Sequence, residues 1–154
     1  DVGAGTGSVS VEMALRADQG QVFAVEKKDD AVALLYENKQ RFAADNLEII
    51  KGEAPEALKE LPVPTHAFLG GSSGNLKEIV ALLLEKNRDV RIVINCITLE
   101  TISEALEVLK EYDFADQEAV QLTASRSKEI GRYHLMMGEN PIYIITCQSP
   151  RAQI

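Results

Sequence analysis

The sequence contains no tryptophan, and four Phe and four Tyr supply all its aromatic rings. Two cysteines are too few for a disulfide framework or a cysteine-based metal centre, so no metal is expected. Cys96 and Cys147 lie inside the apolar runs IVINCI and IYIITC and read as reduced core residues. No apolar run approaches the roughly 18 residues of a membrane span, and no signal peptide is visible, so no membrane partner is expected. Positive charge is also short. Lys and Arg number 16 against 24 Asp and Glu, a net charge of -8. An acidic surface repels phosphate backbones, so no nucleic acid partner is expected either. The only histidines are His66 and His134, and no catalytic triad is evident.

What is present is one domain's worth of patterned chain: 154 residues, 45% hydrophobic and 26% charged. Short β-rich runs alternate with longer amphipathic stretches. QVFAVE, LEIIKG, THAFLG and RIVINCI read as strands, the last buried on both faces. DDAVALLYENKQRFAA, NLKEIVALLLEKN and TISEALEVLKEY read as helices, with PEALKEL a short helical turn. Spacing turns Leu76, Ile79, Val80 and Leu83 inward in one helix, and Ile102, Leu106 and Leu109 in another. The end differs: AVQLTAS and PIYIITCQ are strands joined by RSKEIGRYHLMMGEN, with no helix between them. The expected fold is α/β: a doubly wound, mostly parallel Rossmann-like sheet closed by a C-terminal antiparallel hairpin strand. Dehydrogenase domains do not usually end so, whereas S-adenosylmethionine-dependent methyltransferases do.

The chain opens on DVGAGTGSVSVEMA. Gly3, Gly5 and Gly7, with Thr6 among them, form a turn between a strand end and a helix, where a ligand can approach the backbone and free N–H groups. The dinucleotide fingerprint would need a third glycine where Ser8 stands, so the spacing favours the methyltransferase turn. Glu26 ends the next strand, 19 residues after Gly7. A carboxylate there can accept hydrogen bonds from both ribose hydroxyls of an adenosyl group. In KGEAPEAL, Glu53 and the Ala54 N–H border the adenine position, or the segment is a plain helix start. Gly70, Gly71, Ser72, Ser73 and Gly74 leave a strand end clear for a flat substrate. Asn95 and Thr98 project toward the same cleft, with helix capping the alternative for Thr98 and the preferred role for Thr101. Arg126, Lys128, Arg132 and His134 form a basic cluster in the final loop, suited to carboxylates or merely solvated.

Together DVGAGTGSVSVEMA, VFAVEKK, NLEIIKGEAPEAL, FLGGSSGNLKEI, RIVINCITLET and NPIYIIT resemble the decarboxylating precorrin methyltransferases of cobalamin biosynthesis. These methylate carbon 15 of a corrin precursor and remove carbon dioxide from the acetate chain on ring C. One departure is Asn75 after Gly74, where the family turn commonly reads GGSGG. The resemblance implies S-adenosyl-L-methionine as methyl donor, an acidic tetrapyrrole substrate held partly by Ser72, Ser73, Arg126, Arg132 and His134, a homotetramer, and a cytoplasmic location. His134 is the candidate for orienting a carboxylate or moving a proton. Asp1 then reads as the last trace of a central strand lying upstream of residue 1, with residues 1–154 a single methyltransferase domain.

Overall fold

A computed structural model of the chain describes residues 1–71 and 74–150, apart from the side chain of Pro150. Ser72 and Ser73 lie outside the described residues. The elements in order are α1 (Ser8–Arg16), β1 (Val22–Glu26), α2 (Asp29–Arg41), β2 (Leu47–Lys51), a 3-10 turn (Glu56–Leu58), β3 (His66–Leu69), α3 (Leu76–Lys86), β4 (Arg91–Cys96) and α4 (Leu99–Tyr112). Four strands follow: β5 (Phe114–Leu122), β6 (Ser125–Ile130), β7 (Tyr133–Gly138) and β8 (Ile142–Pro150).

The pairings give one mixed sheet. β1 runs parallel to β2, and β3 parallel to β4. β8 is antiparallel to both β4 and β5, so β5 points the same way as β4. Val2 joins the two halves, bridging Val25 on one side and Leu69 on the other. Its N–H donates to Phe68 O at 2.8 Å, and the Gly3 N–H donates to Val25 O at 2.9 Å. The order is therefore β2-β1-Val2-β3-β4-β8-β5, with the strand order reversing at Val2. Ligands of open α/β sheets bind beyond the strand ends at such a switch point.

Alternate residues of β1 feed two cores, as the period of a strand requires. Val22 and Ala24 pack with Val11 of α1, Leu35 of α2 and Leu47 of β2. Val25 joins the larger cluster, built from β3, β4, α3, α4 and Phe114. Leu76, Ile79, Val80 and Leu83 are all buried, as their spacing predicts. Away from the strand ends, an open cavity of about 640 Å³ lies below Val2, lined among others by Phe23, Leu58, Ala67 and Leu83.

Three expectations are corrected. First, β4 buries Ile92, Ile94 and Cys96 but leaves Val93 and Asn95 only half-buried, so one face is closed rather than two. Second, α4 buries Ala105 and Val108, while Leu106 is 49% exposed. Ile102 and Leu109 are half-buried against the core as their spacing predicts, and Ala105 takes the contact expected of Leu106. Third, RSKEIGRYHLMMGEN is not a loop. It forms most of a second antiparallel hairpin, β6 with β7, turning at Gly131 with φ 63°. Every residue from 115 to 141 is exposed.

Candidate active site

Gly3, Gly5 and Gly7 all adopt left-handed backbone, with φ of 71°, 57° and 83°. Their roles differ. A Cβ on Gly3 would stand 2.6 Å from Gly71 O, so this glycine keeps two turns in contact. A Cβ on Gly7 would meet Leu35 at 2.7 Å, so Gly7 serves the packing of α1 on α2. Gly5 has open space around it, and its N–H donates to Glu26 Oε2 at 2.8 Å. Thr6 is exposed, its hydroxyl 3.4 Å from Ser8 Oγ and its carbonyl accepting from Asn38 Nδ2.

Glu26 is fixed at the carboxyl end of β1, only 8% exposed. Besides the Gly5 N–H, its carboxylate accepts from the N–H groups of Lys27 and Lys28, both at 2.9 Å. Burial alone would push this carboxyl up. The three backbone N–H groups and the nearby Lys28 ammonium outweigh burial and hold it below its ordinary value. It is thus ionised and held in place, with one lone-pair position, on Oε2, left to accept a further donor.

A pocket opens beside it, lined by Val2, Gly3, Val25, Glu26, Lys27, Lys28, Gly52, Glu53, Ala54 and Gly71. Lys27 Nζ and Glu53 Oε1 form an ion pair at 2.7 Å across its rim. This pairing was not foreseen, because it joins loops after two neighbouring parallel strands. Glu53 also accepts from the Ala57 N–H through its carbonyl, so the segment is both pocket wall and helix start.

A second pocket adjoins the first, sharing Gly71, and is lined by Leu69, Gly70, Gly71, Leu76, Ile94, Asn95, Ile97, Thr98 and Thr101. Asn95 Oδ1 is buried there without a hydrogen-bond partner. A buried acceptor left so is costly unless a ligand supplies the donor. Thr98 is the N-cap of α4, its Oγ1 accepting from the Thr101 N–H at 3.2 Å. Thr101 is therefore inside the helix and not its cap, which corrects the preference from sequence.

The basic cluster is also corrected. Pairing of β6 with β7 sets Arg126 opposite Met137 and Lys128 opposite Leu135, on one face. Glu129 opposes His134 on the other face. Arg126 pairs with Glu139 at 3.6 Å, and Arg132 stacks on the Tyr133 ring at 5.2 Å while donating to its hydroxyl. His66 opens β3, at the end of that strand away from both pockets, and is exposed.

The order of this sheet and its final antiparallel strand are those of the class I methyltransferases. The chain belongs to the family of the precorrin methyltransferase domain, whose description matches residues 1–148. The cobalt-precorrin-6B C(15)-methyltransferase (decarboxylating) of Salmonella typhimurium is 38% identical over 149 residues, 96% of this chain and 77% of that protein. Among solved structures, precorrin-6Y C5,15-methyltransferase from Geobacter metallireducens superimposes with a TM-score of 0.87 at 33% identity. It is covered over 78% of its length by 96% of this chain. Precorrin 8W decarboxylase from Methanobacterium thermoautotrophicum gives 0.86 at 36% identity, with the same coverage. Of the described residues, the fold brings Gly3, Glu26, Glu53, Ala54 and Gly71 to one pocket and Gly70, Asn95 and Thr98 to its neighbour. It leaves Gly5, Thr6, Gly7, Arg126, Arg132 and His134 outside both linings.

Proposed function

We propose that this chain transfers a methyl group from S-adenosylmethionine to carbon 15 of a precorrin or cobalt-precorrin, with decarboxylation of the ring C acetate, in cobalamin biosynthesis. The observation that carries this reading is the Glu26 carboxylate, held by three main-chain N–H groups at the switch point of a methyltransferase fold. A ribose hydroxyl is a donor, and the position left on Oε2 of this ionised, fixed carboxylate suits it. The pocket beside Glu26, lined by Gly3, Gly52 and Gly71 with no bulky side chain, suits the rest of an adenosyl group, with Glu53 and Ala54 in its wall.

S-adenosylmethionine, when bound, supplies an electrophilic methyl group. The chain's contribution is alignment: Glu26 fixes the donor, and Gly71, common to both pocket linings, places no side chain between them. Asn95 Oδ1 offers an acceptor on the substrate side. Holding two reactants in line supplies a large part of such a rate enhancement without a strong base. The conjugated ring of the substrate provides both the nucleophilic carbon and the electron sink for loss of carbon dioxide. His134 and the arginines of the hairpin meet the substrate only if the hairpin is carried to a cleft by assembly.

The chain assembles with copies of itself through that hairpin, a tetramer being the number the family resemblance implies. Two strands exposed on both faces are marginal alone, and Tyr133, Leu135, Met136 and Met137 present apolar surface that a second copy would cover.

The test is incubation with cobalt-precorrin-6B and S-adenosylmethionine carrying a deuterated methyl group, followed by mass spectrometry. Gain of the labelled methyl with loss of carbon dioxide is expected. Absence of transfer overturns the reading.

A further inference from the structure

Two large aliphatic side chains flank Thr98, and one of them, Ile97, is in the lining of the Asn95 pocket. Ile97 is 54% exposed and Leu99 80%, on either side of Thr98. The Thr98 hydroxyl is engaged in capping α4, so no polar side chain of this turn is free to face the cleft between them. Turns at strand ends are ordinarily polar, and two exposed aliphatic groups flanking the pocket-lining Thr98 mark a surface meant to be covered. Ile97 lines that pocket, and Asn95 Oδ1 lies buried in it with no donor.

Resting on the reading of the site given above, we propose that Ile97 and Leu99 form an apolar ledge for one face of the substrate's conjugated ring, with Asn95 setting the ring's edge. Three observations favour this occupant. A tetrapyrrole bearing many carboxylates is apolar on its faces and charged at its rim, and the ledge is aliphatic, with no charged neighbour in the pocket lining among the described residues. The pocket meets the cofactor pocket at Gly71, so a ring on the ledge turns one edge toward the methyl donor. The orphan acceptor calls for an N–H or O–H donor, which a carboxylate-rimmed ring carries in its pyrrolic N–H groups or protonated acids.

The test compares the parent, an Ile97→Ser/Leu99→Ser double variant, and Leu106→Ser on the outer side of α4 as control. Steady-state kinetics with cobalt-precorrin-6B, calorimetry with S-adenosylmethionine, fluorescence titration with uroporphyrin and light scattering are read for each. The double variant is expected to raise KM and weaken uroporphyrin binding by about tenfold or more. Its kcat, cofactor affinity and mass should stay at parent values, and Leu106→Ser should match the parent throughout. Unchanged KM and uroporphyrin affinity overturn the ledge. A change in mass with unchanged KM also overturns it, assigning the surface to a subunit contact. If the parent fails to methylate cobalt-precorrin-6B, the functional reading fails, and the uroporphyrin titration alone decides the ledge. Absence of uroporphyrin binding by such a parent overturns both.

Discussion

The carbonyl oxygen of Gly71 stands 2.6 Å from where a Cβ on Gly3 would be, so two glycine turns meet at the centre of the sheet with no room for a side chain. Val2 fixes that approach, its carbonyl accepting from the N–H groups of Gly70 and Gly71 at 2.9 and 3.3 Å. The Glu26 pocket and the Asn95 pocket share Gly71 at this seam, so its geometry governs both.

Gly3→Ala should therefore cost more than Gly5→Ala. Both residues have positive φ, a strain of about 1–2 kcal/mol for alanine. Gly3→Ala adds a clash with backbone, about 1–3 kcal/mol of overpacking. Gly5 has open space around it and adds none. Urea unfolding should show Gly3→Ala the less stable by at least about 1 kcal/mol. Equal losses would mean the two turns do not depend on their contact.

Acid should expose the role of Glu26. Its carboxyl lies below the ordinary value of 4.5 in the folded chain. A depressed carboxyl stabilises the fold fully above its unfolded pKa, and that contribution is lost as pH falls through the lower folded value. Below about pH 4.5 the parent should lose stability more steeply than Glu26→Gln. Parallel pH profiles in urea unfolding would contradict the assignment.

The two thiols should be inert in the native state. Burial pushes Cys147 up to about 12 and raises Cys96 as well. Thiolate is the reactive form, so alkylation at neutral pH should label neither cysteine until urea is added. Because the folded state keeps Cys147 protonated, stability should also fall as pH rises from 9.0 toward about 12. Rapid native labelling would place these strands closer to solvent than described.

Assembly should depend on the face of β7 that carries Leu135 and Met137. A Leu135→Glu/Met137→Glu variant is expected to run as a monomer of 16.9 kDa by light scattering, with cofactor affinity retained. A monomeric parent, or an oligomer unaffected by the change, would contradict the proposal.

The βα alternation was legible because its helices bury unbroken stripes, as Leu76, Ile79, Val80 and Leu83 do in α3. Gly3, Gly5 and Glu26 were legible because backbone geometry and a strand-end acid leave a mark in local spacing. The β6–β7 hairpin was missed because its strands are polar or exposed on both faces, without the alternation that signals a half-buried strand. IGRY, a two-residue glycine turn between Ile130 and Tyr133, was the available signal. The basic cluster looked continuous in sequence, but a period of two assigned Arg126 and His134 to opposite faces. Lys27 and Glu53 could not be joined from sequence, since their contact follows from the register of β1 on β2. The Leu106 error has a similar origin, because side-chain size predicted burial where close helix packing selected Ala105.

Calorimetric titration of the parent and Glu26→Ala with S-adenosylmethionine asks whether Glu26 holds the ribose. A hydrogen bond to a charged group contributes about 1.5–3 kcal/mol, so losing it should weaken binding by about tenfold or more. Circular dichroism would check that the variant keeps its fold. A folded Glu26→Ala protein that binds S-adenosylmethionine as tightly as the parent would contradict the account.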